Sequence, residues 1–258
     1  MTEEQVVIEA DGLTMAYDDT IIQQDISFQV RAGDIFVIMG GSGCGKSTLL
    51  RHLIGLQTPA RGRVLYQGVD LSNMPGKEQE RFLRRMGVLY QTGALWSSMT
   101  LSENISLPLS YHTSLSPEMI ADLARFKLSL VGLSGFEDFY PAQISGGMRK
   151  RAALARAIAL DPEFLFFDEP SAGLDPLTAR RLDELILEIR DSLGATVVMV
   201  SHELASIYTV ATNSVFLDSG SKTMLAVGEP RTLLRESDHP SLIDFLSRGT
   251  GRREVSLL

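Results

Sequence analysis

Among 258 residues there is one cysteine, Cys44, and one tryptophan, Trp96. A lone cysteine excludes an internal disulfide framework and suits a reducing compartment. No run of about 18 apolar residues occurs, so no membrane-spanning helix is expected. Positive charge is scarce: 24 Lys and Arg face 32 Asp and Glu, a net charge of −8. That balance argues against nucleic acid as the main partner. Met1-Thr2-Glu3-Glu4-Gln5 is acidic with no apolar core behind it, so no leader peptide is expected. Internal repeats and low-complexity stretches are absent. The remainder is ordinary for a globular protein, 44% hydrophobic and 22% charged, enough for one large domain or two small ones.

The most informative stretch is Gly40-Gly41-Ser42-Gly43-Cys44-Gly45-Lys46-Ser47-Thr48. It fits the P-loop pattern, a glycine, four residues, then Gly-Lys-Ser. Ile35-Phe36-Val37-Ile38-Met39 before it reads as a buried strand, and Leu49–Ile54 after it continues as a helix. Glycines let backbone N–H groups turn toward phosphate oxygens, and the helix N-terminus adds partial positive charge. Lys46 is expected to reach the β- and γ-phosphates of ATP, and the Ser47 hydroxyl to ligate Mg²⁺. Cys44 lies near a helix N-terminus, where thiolate formation is favoured. Its expected role is packing within the loop, not that of a nucleophile, with a thiol reagent blocking any activity of the loop and bound nucleotide protecting it.

Further segments follow in a fixed order. Phe164-Leu165-Phe166-Phe167-Asp168-Glu169 is an apolar strand ending in two carboxylates. Asp168 is placed to hold Mg²⁺ and Glu169 to polarise an attacking water; taken alone, a strand entering an acidic loop explains the pair as well. Ser145-Gly146-Gly147 precedes a basic helix, Arg149–Leu160, and offers N–H groups to an anion at a helix start. Asp175-Pro176 is an N-cap and first-turn pair. His202 follows the β-branched strand Thr196–Val200, and Gln91 ends Val88-Leu89-Tyr90.

P-loop, Gln, Ser-Gly-Gly signature, Asp-Glu and His in this order make the chain resemble the nucleotide-binding subunit of an ABC transporter, from about Val6 to about Leu234. The resemblance implies ATP as substrate, Mg²⁺ as cofactor, and a head-to-tail homodimer sandwiching two ATP molecules. It makes Tyr17 the aromatic that stacks on adenine, Gln91 a contact to Mg²⁺ or the attacking water, Glu169 the catalytic base and His202 the γ-phosphate switch. Ser145, Gly146 and Gly147 then meet the nucleotide held by the second copy, and Asp175 lies in the loop crossing the dimer interface. Met148 departs from the commonest pattern, where Gln is usual, and Ile144 replaces Leu; neither removes a backbone N–H or the Ser145 hydroxyl.

The expected fold class is α/β, a P-loop NTPase of RecA-like type. Its parallel-sheet core carries an antiparallel β subdomain and an inserted helical domain. Residues 1–91 and 163–228 are assigned to the ATP-binding core, 92–162 to the helical domain and 229–258 to short helices and a tail. Val6–Val30 alternates as antiparallel strands, with Gly62–Gly68 as another. Glu78–Met86 reads as a short helix whose Arg81, Arg84 and Arg85 form a solvated face. Ser116-Pro117-Glu118 starts a helix with Ile120, Leu123, Ala124, Leu128 and Val131 at helical spacing. A long helix from Asp175-Pro176 closes at Gly194. Residues 248–258 are a frayed end or dock on the second copy.

Gln91-Thr92-Gly93-Ala94-Leu95-Trp96 and Asn104-Ile105-Ser106-Leu107-Pro108-Leu109, with the Ser-Gly-Gly-Met signature, resemble one subfamily: the ATPases of MCE-associated lipid transporters, such as the Mla system of Gram-negative bacteria. That implies a multispanning permease, an MCE-domain protein, often a STAS-domain subunit, phospholipid cargo, and a peripheral place on the cytoplasmic face of the inner membrane. Trp96 is either an apolar contact at the permease groove or core packing. The alternatives are an amino-acid or ion importer, or a soluble ABC ATPase acting on nucleic acid, ribosomes or cluster assembly.

Overall fold

Apolar and polar residues alternate along Ile26-Ser27-Phe28-Gln29-Val30, and the strand they belong to buries every second residue there, while the strand before it, interrupted by register shifts, does not alternate strictly. The computed structural model describes residues 5–18 and 20–248; the last ten positions of the tail whose docking was considered lie outside these. In chain order the elements are β1 (Val6–Tyr17), β2 (Thr20–Arg31), β3 (Ile35–Gly40), α1 (Lys46–Leu53), β4 (Arg61–Tyr66), β5 (Val69–Asp70) and α2 (Gly76–Leu83). Then come β6 (Met86–Leu89), α3 (Leu101–His112), α4 (Pro117–Leu130), α5 (Gly146–Ala157), β7 (Phe164–Asp168), α6 (Pro176–Leu193) and β8 (Thr196–Val200). The described chain closes with α7 (Leu204–Val210), β9 (Asn213–Asp218), β10 (Thr223–Gly228), α8 (Pro230–Glu236) and α9 (Pro240–Ser247). Two compact units result, one of Met1–Gln79 with Thr196–Leu258, the other of Glu80–Ala195.

In the first unit, β2-β1-β4-β5 form an antiparallel sheet in which Glu9 faces Gln29 on one side and Leu65 on the other. A second sheet runs β10-β9-β3-β8. Here β3 is parallel to both neighbours, Val37 pairing with Met199 and Ser214. Every residue of β3 and β8 is buried, which is why these strands read as unbroken apolar runs rather than alternating ones. Phe28 of β2 stacks on Phe36 of β3 at 4.9 Å, joining the two sheets. The β9–β10 hairpin was not foreseen. It carries Phe216, whose ring lies 5.4 Å from Phe245 of α9.

In the second unit, β6 and β7 pair in parallel, Val88 beside Phe166. The helix starts follow local chemistry. Thr100 and Glu103 close a capping box on α3, and Ser116 Oγ accepts from Met119 N at 3.3 Å on α4. Gly194, at φ 63°, ends α6 in the left-handed region that glycine tolerates. The basic helix begins at Gly146, capped by Ser145, and ends at Ala157, shifted toward the N-terminus of the expected span. The expected helix over 78–86 is α2, and Met86 opens β6 instead. Arg81 and Arg84 are exposed as foreseen, but Arg85 is not on a solvated face. Arg85 Nε donates to Glu163 Oε1 at 2.8 Å, and the guanidinium lies 4.7 Å from the Phe82 ring. Trp96 is exposed, which removes core packing as its role. Fully buried Asn104 shapes the turn around it, accepting from Trp96 N at 2.8 Å and donating to Thr100 O at 2.9 Å.

Candidate nucleotide site

The loop between β3 and α1 joins a buried strand to a helix N-terminus. A Cβ on Gly40 would come within 2.4 Å of the Leu217 carbonyl. Gly45 has φ 98°, and a Cβ there would meet Ile22 Cγ2 at 2.9 Å. At Gly41 and Gly43 a Cβ would meet nothing within 4 Å. The packed glycines fix the loop to its floor, and the open ones leave room for an anion. Ser42 is exposed; Ser47 and Thr48 are half-buried in the first turn of α1.

Lys46 is buried, and its Nζ donates to Gly40 O at 3.0 Å and Gly41 O at 2.9 Å. Its ammonium therefore sits on the loop itself. Beneath the loop, fully buried Gln23 of β2 donates Nε2 to Cys44 O at 2.8 Å and to Asp218 O at 2.9 Å. Nothing in the alternation of β2 marks that residue, because its acceptors come from distant segments. Cys44 is only 2% exposed. Burial pushes its thiol pKa up, against a smaller downward pull from Lys46. Desolvation thus overrides the helix terminus, and Cys44 is a buried thiol, in keeping with a packing role in the loop.

Tyr17 is half-exposed, and Gln57 Nε2 donates to its hydroxyl at 3.1 Å. Hydrogen bonding with Gln57, then Thr48, holds the phenol below its usual range, which places Tyr17 beside α1. Parallel register sets the position of His202. Ile38 pairs with Val200, so Gly40 and His202 each lie two residues further on at the same carboxyl edge. The His202 side chain is exposed, with Nε2 at 3.6 Å from Glu203 Oε1.

The second unit has an edge of the same kind. Leu89 pairs with Phe167, so Gln91 and Glu169 each lie two residues beyond. Asp168 ends β7 and is buried, as is Glu169. Glu169 has φ 50°, an unusual conformation for a residue with a side chain. Lys150 of α5 is also buried, and its ammonium donates to Gln91 O and, at 3.2 Å, to Glu169 O. Burial lowers the Lys150 pKa, while the Asp168 and Glu169 charges act to raise it. Arg156, one and a half turns on, donates to Ala94 O at 2.7 Å and Gly93 O at 3.0 Å. In the sequence Lys150 belongs to the Arg149-Lys150-Arg151 stretch of the subfamily resemblance, without a role of its own, and Arg156 carries no local signal; their acceptors lie far along the chain.

At the signature, Ser145 Oγ accepts from Met148 N at 3.2 Å, leaving Ser145 and Gly146 exposed at the start of α5. Gly147 packs so closely that a Cβ would lie 2.6 Å from Thr178 Cγ2. Asp175 Oδ1 accepts from Leu177 N and Thr178 N, both at 3.1 Å. Bonding to Thr178 keeps this exposed carboxyl below its usual range. Among the described residues, no group of three His, Cys, Asp or Glu side chains is gathered to hold a metal. Buried Asp168 offers a carboxylate oxygen of the kind Mg²⁺ takes beside phosphate and water.

The ABC transporter family pattern matches residues 23–172. The chain belongs to the ABC transporter family. It is the ATP-binding, ATP-hydrolysing subunit type. A probable ribonucleotide transport ATP-binding protein, mkl, of Mycobacterium leprae is 42% identical over 96% of this chain and 70% of its own length. The intermembrane phospholipid transport ATP-binding protein MlaF of Escherichia coli K12 is 39% identical over 87% of this chain and 82% of its own. MlaF of Haemophilus influenzae is 36% identical, covering 91% and 88%. Among solved structures, cbiO1 of Clostridium perfringens, part of the cbiONQ ABC transporter complex, has TM-score 0.80 at 26% identity, covering 90% of this chain and 92% of that one. A dimeric cassette bound to ADP and Pi after hydrolysis has TM-score 0.76 at 26% identity, covering 86% and 98%. No helix among the described residues is long and apolar enough to cross a membrane.

Proposed function

We propose that this ATPase powers a phospholipid transporter of the MCE-associated type, with each site residue in the role its place suggests. Lys46 and the N–H groups of Gly40–Thr48 bind the β- and γ-phosphates, and Tyr17 stacks on adenine. Ser47, Asp168 and Gln91 would hold Mg²⁺, which would supply positive charge against the phosphates. Glu169 takes the proton of the attacking water, and His202 orients the γ-phosphate. Ser145, Gly146 and Gly147 close on nucleotide held by a second copy, with Asp175 at that interface. In this division 1–91 and 163–228 bind ATP, 92–162 carry the signature and 229–258 form a C-terminal extension.

The observation that carries the ATPase chemistry is the pair of carboxyl edges, Gly40 with His202 and Gln91 with Glu169. The two MlaF relatives support the phospholipid cargo. The mkl relatives are named for ribonucleotide transport, which makes a soluble nucleotide the competing cargo. A permease is the membrane partner in either case, and the chain binds it peripherally at the cytoplasmic face. An MCE-domain protein and a STAS-domain subunit complete the lipid reading.

Affinity purification from detergent-solubilised membranes, followed by mass spectrometry of proteins and lipids, separates the two. Phospholipid with a permease and an MCE-domain protein supports the proposal. A permease with a soluble solute-binding protein and no enriched lipid contradicts it.

A further inference from the structure

The helix that opens at the signature also reaches the carboxylate edge. Lys150 lies on the second turn of α5, buried, with its ammonium donating to the backbone carbonyls of Gln91 and Glu169. A buried charge is costly unless it is hydrogen-bonded. Here its acceptors belong to two segments, 59 and 19 residues away in sequence. One of them is strained: Glu169 holds φ 50° directly after β7. Such a conformation persists only where surrounding contacts over-determine it, and strain of this kind gathers at functional sites. Arg156 of the same helix holds the Gly93 and Ala94 carbonyls, but only Lys150 reaches Glu169 as well.

We infer that Lys150 is a positioning residue for ATP hydrolysis. Its ammonium pins the Glu169 backbone in the left-handed conformation and ties it to Gln91. The two side chains are thereby presented together from one rigid edge. It touches neither nucleotide nor water itself. The inference rests on Glu169 and Gln91 acting as proposed above.

The test uses the whole chain with Lys150→Met and Lys150→Arg, and Glu169→Gln as control. Steady-state kinetics with MgATP and thermal melting are the readouts. Lys150→Met is expected to lower kcat by about 10- to 100-fold, the scale of a small misplacement of a reacting group. KM for ATP should stay within about twofold, since ground-state binding is untouched. Melting should change little, because two carbonyls losing a donor cost stability while removing a buried charge returns it. Lys150→Arg, which keeps a charged donor, should recover much of the loss. A role confined to holding the fold would move melting and KM together with kcat, and that pattern overturns the inference. So does Lys150→Met at wild-type turnover while Glu169→Gln is inactive. An active Glu169→Gln instead overturns the assignment of the base. If Lys150→Met does not fold, Lys150→Gln, too short to reach both carbonyls, is judged by the same criteria.

Discussion

Gln23 Nε2 donates to the carbonyl of Cys44 at 2.8 Å, holding the P-loop from below. Its second bond, to Asp218 O at 2.9 Å, ties that loop to the end of β9. Its own Oε1 is buried without a partner. The two donated bonds must therefore outweigh one unsatisfied acceptor. Gln23→Leu leaves both carbonyls without this donor, and unsatisfied buried groups cost about 1–3 kcal/mol each. Loss of the orphaned Oε1 offsets part of that. The expected outcome is a lower urea midpoint and a higher KM for ATP, measured by chemical denaturation and steady-state kinetics.

Cys44 predicts a slow thiol. It is buried, and burial raises its pKa, so little reactive thiolate is present near neutral pH. Reaction with a disulfide reagent should be slow in the folded chain and fast in urea. Cys44→Ser should keep most ATPase activity. Rapid labelling of the folded chain would contradict the buried geometry.

His52 makes stability depend on pH. Its ring is buried, with Nδ1 at 2.9 Å from Gln57 O. Burial lowers its pKa below the usual value. The unfolded chain therefore binds the proton first as pH falls through about 6.5. The stability His52 contributes is present above that pH and is lost on descending toward its folded pKa. Denaturation midpoints from pH 7.5 to 5.5 should fall more steeply for the wild type than for His52→Gln.

The roles proposed for Lys46 and Tyr17 separate two parts of nucleotide binding. Lys46→Ala removes the cation over the loop and should weaken ATP and ADP binding together, read by fluorescent-nucleotide titration. Tyr17→Ala should cost about 1–3 kcal/mol of affinity, the range of one stacked base. Tyr17→Phe keeps the ring and loses the hydroxyl's bonds with Gln57 and Thr48. It should bind within about threefold of wild type, a difference of well under 1 kcal/mol.

What was legible in the sequence was local chemistry. Ser116-Pro117 and Asp175-Pro176 start helices, Gly194 ends one, and each signal lies within a few residues of its effect. The glycine loop was equally plain, because spacing and flanking elements carry its meaning. What escaped depended on distant partners. Arg85 seemed a solvated residue until Glu163 was found beside it. Lys150 and Arg156 read only as part of a basic helix, but they bond to backbone carbonyls around Gln91 and Glu169. Gln23 in an alternating strand has no local mark at all. The β9–β10 hairpin was missed although its strands match β3 in length, six residues each, because no motif follows them as the glycine loop follows β3.

The central claim is that Glu169 is the base for ATP hydrolysis. Turnover by the purified chain carrying Glu169→Gln, with its oligomeric state measured in MgATP, tests it most directly. A loss of at least about 100-fold in kcat is expected, the scale of removing a general base, with an ATP-bound dimer accumulating. Wild-type turnover with no such dimer would contradict it.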